Sequence, residues 1–262
     1  MRFLKFFKVV NLLLISIGID FRLFISRIIF LPHFLWQYFI FRKRSKVRVV
    51  FDPVFEVNDS SANLGEYFFQ DLYVSKKIID SNPVTHYDVG SRVDGFISIL
   101  STHLKVKVLD IRPLNININN VSFQQLDIVN LSSNFYGVAN SLSCLHTLEH
   151  IGLGRYGDPI GVDNWINALS NLKKLLLKGG MLYISTPIGE EVVRFNSNRI
   201  FSPSIFCRKA VEIGLRLHSF SYLSFSNNQP QKIYESSEPY KDFEKLEKIP
   251  YALGIFVFQT ID

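Results

Sequence analysis

The chain has 262 residues, 47% of them hydrophobic, with 24 Phe, two Cys and a formal charge of +6, enough for one α/β domain and an appendage. Cys144 and Cys207 supply neither a disulfide framework nor a metal-binding pair. Ten of the 29 Lys/Arg and one of the 23 Asp/Glu fall in residues 1–48, a local +9 that leaves −3 elsewhere, which excludes a basic nucleic-acid-binding body and favours an anionic membrane surface near the N-terminus.

Residues 3–41 are apolar and Phe-rich. Their charge-free runs, Val9–Ile19 and Ile28–Phe41, are each shorter than the roughly 20 residues of a spanning helix. Asp20, Arg22 and Arg27 separate them, and Pro32 is expected to break the second. The pattern predicts one or two helices lying in a membrane interface, with Trp36 and Tyr38 at the polar boundary and Arg42–Arg48 on the cytoplasmic leaflet. Arg2, Lys5 and Lys8 before an apolar run also fit a signal peptide, but no small-x-small site follows Ile17–Asp20, so the segment is expected to be retained. The alternative is a helical hairpin packed on its own domain or on a second subunit.

Val47–Val57 reads as a strand or extended linker, and Asn58–Ser61 as a turn. Leu64–Ile79 has helical spacing, with Asn63 as its cap. Val84–Gly95 then reads as strand, glycine-bearing turn and helix start, the opening of a nucleotide-type α/β domain, where backbone N–H groups face a ligand. The first strand ends at Asp88, and the second, Val106–Leu109, ends in Asp110. That 22-residue separation is close to the ~20 at which a carboxylate reaches ribose hydroxyls in this architecture. Asp127, after a short apolar stretch from Val121, is placed to bind an adenine amino group; as a solvated loop residue or helix cap it would have no such role.

Tyr136–Leu145 has the small, apolar character of a central strand buried on both faces. Directly after it, His146, Glu149, His150, Arg155 and Asp158 fall within thirteen residues, in a loop carrying Gly152, Gly154, Gly157 and Gly161. Asp163 is expected to cap a helix that Gly179-Gly180 stop. Met181–Ser185 reads as the fifth strand and Ser204–Leu217 as a further helix. Two late strands, His218–Phe225 and Tyr251–Gln259, flank a charged loop, Asn227–Lys248, and suggest an antiparallel hairpin at the sheet edge.

Leu148-Glu149-His150 and the run Leu175–Pro187 resemble the post-strand and fifth-strand motifs of the class I S-adenosylmethionine-dependent methyltransferases. Asp88–Phe96, Asp110–Leu114, Ser141–Pro159, Phe195-Asn196 and Arg199 resemble, more closely, the family called domain of unknown function 268, over about residues 64–258. The resemblance implies a Rossmann-like α/β sheet, mostly parallel with an antiparallel closing hairpin, as residues 49–262 behind a helical segment at 1–48. It also implies a helix before the first strand that closes over the ligand. S-adenosylmethionine is the implied cofactor, held by Asp88, Gly90, Ser91, Arg92, Gly95, Asp110, Ile111, Asp127 and Ser141. A glycan or lipid-linked sugar in surface-polysaccharide assembly is the implied acceptor. The sequence departs from the Asp-x-Gly-x-Gly-x-Gly turn of methyltransferases, because Arg92 and Asp94 stand at the second and third glycine positions and Gly95 is displaced by one. Arg92 would fill the cofactor space unless it points away or reads the methionine carboxylate.

Three readings of the loop stand. In the first, a general base among His146, Glu149, His150 and Asp158 takes a proton from a sugar hydroxyl, and Arg155 binds an anionic group. In the second, His150 and Arg155 merely brace the loop, and the protein is an inactive binding partner in a polysaccharide complex. In the third, His146-x-x-Glu149-His150 is the inverted zinc-peptidase pattern of a hydrolase, with two imidazoles one helical turn apart.

Overall fold

The computed structural model describes residues 14, 21–52, 65–115, 117–226 and 229–261. The first apolar run, the turn cluster at 58–61 and the expected cap Asn63 lie outside these residues.

Helix α1, Phe21–Arg44, continues through Pro32. The expected break does not occur. The turns after Pro32 bury Phe34, Tyr38 and Phe41 against Leu153, Val193 and Phe195, and that packing outweighs the roughly 3 kcal/mol cost of an internal proline. Tyr38 therefore belongs to a core and not to a headgroup boundary. Trp36 is 59% exposed, on the other face of the helix. No helix among the described residues is long and apolar enough to cross a membrane.

Strand β1, Val49–Asp52, follows. Helix α2, Glu66–Ser81, leads into β2, Thr85–Val89, and a π-helical turn, Val93–Ile97, runs into the short α3, Ser98–Ser101. Strands β3, Lys105–Asp110, β4, Val121–Gln125, and β5, Ala139–Leu145, come next. After β5 a single 3-10 turn, Leu148–His150, precedes α4, Asn164–Leu175. Strands β6, Leu176–Ile188, β7, Val192–Asn196, and β8, Asn198–Ile200, are followed by α5, Pro203–Glu212. Strands β9, Leu215–Ser226, and β10, Gln229–Glu235, helix α6, Pro239–Leu246, and β11, Ala252–Thr260, complete the chain.

Eight strands form one sheet in the order β10-β9-β11-β6-β5-β2-β3-β4. Strands β2 to β6 pair in parallel, and β11 pairs antiparallel with both β6 and β9. This is the expected Rossmann-like sheet with an antiparallel closing hairpin. The charged segment expected as a loop between the closing strands contains β10 and α6; α6 buries Phe243 and Leu246. Helix α4 ends four residues before Gly179, because Leu176 already pairs with Ala139; the glycines sit in the bulged start of β6, where the register with β5 shifts. Asp163 stands at the N-cap without a side-chain bond, whereas Ser202 caps α5 by accepting from the Ile205 N–H.

A second, three-stranded sheet, β1-β7-β8, joins the segment after α1 to the body. The residue pattern at 192–200 does not signal these strands.

The large sheet dictates where a ligand can lie. From β2 the chain runs outward to β3 and β4, then returns to place β5 on the other side of β2. The carboxyl ends of β2 and β5 flank the point where strand order reverses, and open α/β sheets bind ligands in that crevice.

Candidate active site

The turn after β2 is built on Asp88. Its fully buried carboxylate accepts from the Ser91 N–H (3.0 Å), the Ser91 hydroxyl (2.6 Å) and the Ser143 hydroxyl on β5. Burial pushes its pKa up to about 6, against the pull of the Ser143 and Ser91 donors. Ser141 lies deeper, bonded to the buried His86. Asp88 and Ser141, expected to bind cofactor, are thus interior groups that clamp the turn to the sheet. Gly95 is also diverted: a Cβ there would lie 2.3 Å from the Asp71 carboxylate, so this glycine admits helix α2 and not a cofactor.

Gly90 remains at the surface of the crevice with φ +74°, and a Cβ on it would stand 2.7 Å from Thr147 Cγ2. Arg92 does not fill the space beyond. Its guanidinium turns outward to Asp94, 2.6 Å between Nη2 and Oδ2, and its side chain is 63% exposed.

Two adjoining cavities open there. One, of about 120 Å³, has apolar walls that include Leu109, Ile111, Leu126, Ile128, Ile151 and Pro159, with Asp110 and Asp127 at its edges. The Asp110 carboxylate is held by the Arg112 backbone N–H (2.8 Å) and guanidinium (2.9 Å), which fixes its direction and leaves lone pairs for two further donors. Asp127 accepts from the Val129 N–H and the Asn130 side-chain amide, both 2.8 Å, so it shapes its own turn while facing the cavity. Ile111 lies on the rim. The second cavity, of about 280 Å³, is polar and lies under α2; Tyr67, Gln70, Asp71, Ser91, Arg92 and Arg155 line it. Gly90, Arg112, His146, His150 and Tyr156 border both.

The loop after β5 separates into two roles. Asp158 braces it, accepting from the N–H groups of Gly152 (2.7 Å) and Tyr156 (3.3 Å). His150 Nδ1 bonds the Ser197 carbonyl (2.7 Å), and burial holds this imidazole below the ordinary histidine pKa. Arg155 donates to the same carbonyl at 3.2 Å. Beneath the loop the buried Arg199 donates to the Glu149, Ile151, Gly161 and Val162 carbonyls. His146 and Glu149 form the other part. His146 Nδ1 lies 2.7 Å from the buried Glu149 carboxylate. Burial opposes ionisation of both, yet their mutual attraction wins: the Glu149 pKa falls and that of His146 rises.

The zinc reading requires His146 and His150 on one helix. Here His146 precedes a single 3-10 turn with a left-handed backbone, and the Nδ1 atoms are engaged by Glu149 and Ser197. Among the described residues no group of three His, Cys, Asp or Glu is placed to hold a metal. The pattern is a product of local chain geometry.

Sequence reasoning misses the face of α2 that closes the polar cavity. Tyr67 stacks on His146 with ring centroids 4.6 Å apart, Gln70 bonds Ser185, and Glu66 accepts from Tyr251. A polar i, i+4 pattern, Glu66–Gln70 and Tyr67–Asp71, is the signal that could have found it.

This sheet, with its cleft at the switch point, is the fold of the class I S-adenosylmethionine-dependent methyltransferases. The N-methyltransferase NodS from Bradyrhizobium japonicum WM9, solved with S-adenosyl-L-homocysteine, superposes with a TM-score of 0.52 at 12% identity, over 79% of this chain and 94% of NodS. The [4+2]-cyclase SpnF superposes with a TM-score of 0.50 at 11% identity, over 81% of this chain and 88% of SpnF. Residues 91–255 match the family described as "Caenorhabditis protein of unknown function, DUF268", and the chain belongs to it. No curated protein matches the sequence.

Proposed function

We propose that the protein is an S-adenosylmethionine-dependent O-methyltransferase. A fold that also serves a [4+2]-cyclase does not fix the chemistry, so the reading rests on the site. The observation that carries it is the outward turn of Arg92, which leaves an apolar slot with two carboxylate edges open beside Gly90. That donor set fits an adenosyl group. The slot takes a flat apolar ring, Asp127 accepts from an exocyclic amine, and Asp110 accepts from ribose hydroxyls. The methionine end would extend past Gly90 into the polar cavity. When bound, the cofactor supplies an electrophilic methyl group on a sulfonium sulfur. The chain's own work is to hold the acceptor in line, exclude water under α2 and receive a proton.

Titration with S-adenosyl-L-homocysteine tests this. Asp110→Asn replaces an acceptor oxygen with a donor, and a lost charge-assisted bond of roughly 2 kcal/mol corresponds to affinity about 30-fold weaker. Arg92→Ala removes only an exposed pair, so affinity stays within about threefold and stability within about 1 kcal/mol. Equal affinity for wild type and Asp110→Asn contradicts the assignment.

The proposal extends to a glycan or lipid-linked sugar acceptor at the cytoplasmic face of a membrane. The exposed Ile28, Leu31, Trp36 and Phe39 of α1, followed by Arg42, Lys43 and Arg44, support the membrane part. Cosedimentation with phosphatidylserine vesicles is expected to fall about tenfold in Trp36→Ser/Phe39→Ser, whose core side chains are intact; unchanged cosedimentation counts against it.

A further inference from the structure

His146 is the one positive-φ residue among those described that is neither Gly nor Asn, at φ +48°. Such a backbone costs about 1–3 kcal/mol and persists only where the surroundings impose it. Here the His146 N–H donates to the Ser185 carbonyl (3.0 Å) and hydroxyl (3.2 Å), which hold the residue at the end of β5. The strain has a visible result, because the imidazole is set between the two cavities with Nδ1 on Glu149. The proton between a neutral imidazole and a carboxylate belongs on Nδ1, so Nε2 carries a lone pair. That Nε2 is buried and has no hydrogen-bond partner among the described residues. A buried acceptor of this kind costs about 1–3 kcal/mol until a donor arrives. Glu66 Oε1 lies 3.8 Å from the same Nε2, and its Oε2 is fixed by the Tyr251 hydroxyl.

We propose that His146 Nε2 receives the proton of the acceptor's hydroxyl, and that Glu66, held by Tyr251, is a positioning residue that anchors the acceptor beside it. The inference rests on the methyl-transfer reading and names the acceptor's reactive group as a protic oxygen. As the acceptor oxygen forms its bond to the methyl carbon, the carbon–sulfur bond breaks with its electron pair left on sulfur, and the hydroxyl proton passes to Nε2. The imidazolium so formed is held by Glu149. A carbon or thioether acceptor would leave Nε2 unsatisfied. The groups facing His146 are Glu149 and His150 in its own loop, and Glu66, Tyr67 and Asp71 on α2, with Tyr251 behind Glu66. The carboxylates together raise its basicity above that of an ordinary histidine although burial opposes this.

Nitrogen-15 NMR of the histidine-labelled full chain, free of cofactor and assigned through His146→Gln, tests the proposal without any acceptor. The expected result is the Nδ1–H tautomer at pH 9 and a pKa above 6.5, lowered by roughly 0.5–1 unit in Glu66→Gln and less in Tyr251→Phe. An Nε2–H tautomer, or a pKa indifferent to Glu66→Gln, overturns it. His146→Gln is expected to bind S-adenosyl-L-homocysteine within about threefold of wild type, because the adenosyl slot is untouched. Failure of the wild-type protein to bind that compound would defeat the methyl-transfer reading instead, so the two failures are distinguishable.

Discussion

Arg199→Leu is expected to destabilise the protein by about 3–4 kcal/mol. Arg199 is 4% exposed and stands under the loop that follows β5. Its guanidinium serves the carbonyls of Glu149, Ile151, Gly161 and Val162, so one side chain closes both ends of the loop. Its face also lies over the Phe41 ring, 5.8 Å from the centroid, which ties the loop to α1. Burial pulls its pKa down to about 10, against the attraction of Asp158, Asp163 and Glu149. Leucine fills part of the volume and offers no donor, so the carbonyls are left buried and unpaired. The urea midpoint should fall by roughly 1–3 M at ordinary m-values. Arg199→Lys keeps the charge without the planar fork and should lie between leucine and wild type. A loss under about 1 kcal/mol for leucine would mean that the loop is held by Asp158 and the glycine turns alone.

Gly90→Val is expected to weaken S-adenosyl-L-homocysteine binding by more than about 100-fold while the fold persists. Two effects act together. At φ +74° a β-branched residue is a genuine outlier. Its Cβ would also lie 2.7 Å from Thr147 Cγ2, inside any real contact. The chain can relieve both by moving the turn away from Thr147, which displaces the backbone between the two cavities. The Asp88–Ser91–Ser143 clamp lies below that point and keeps β2 paired to β5, so cooperative thermal unfolding should remain. Misplacement of about an ångström at a reacting centre is sufficient to cost two orders of magnitude. Affinity within about threefold of wild type would show that the turn after β2 does not carry the ligand.

The sheet was legible because its strands are short apolar runs ending in Asp or at a turn. Asp88 and Asp110 mark two such ends, and the spacing between them identifies the architecture before any pairing is known. What one residue does to another across the fold was not legible. Asp88 and Gly95 sit in the expected motif, yet one faces inward to Ser143 and the other receives Asp71. The direction of Arg92 is decided by Asp94, two residues away, through a pair that sequence spacing alone does not distinguish from solvent exposure. Pro32 signals a break because the aromatic packing that overrides it comes from Val193 and Phe195, far along the chain. Segment 192–200 carries no strand signal, since β7 owes its existence to a parallel partner in β1. The face of α2 was hidden for a related reason. Gln70 and Asp71 are buried polar residues, and only the tertiary structure shows that Ser185 and Gly95 lie opposite them.

The central claim is that an adenosyl group binds at the carboxyl ends of β2 and β3, between Gly90 and Asp110. Calorimetric titration of the full wild-type chain with S-adenosyl-L-homocysteine tests it most directly. One site per chain, with heat that is sharply reduced by Asp110→Asn, is the predicted result. A folded protein that takes up no S-adenosyl-L-homocysteine at millimolar concentration would contradict it.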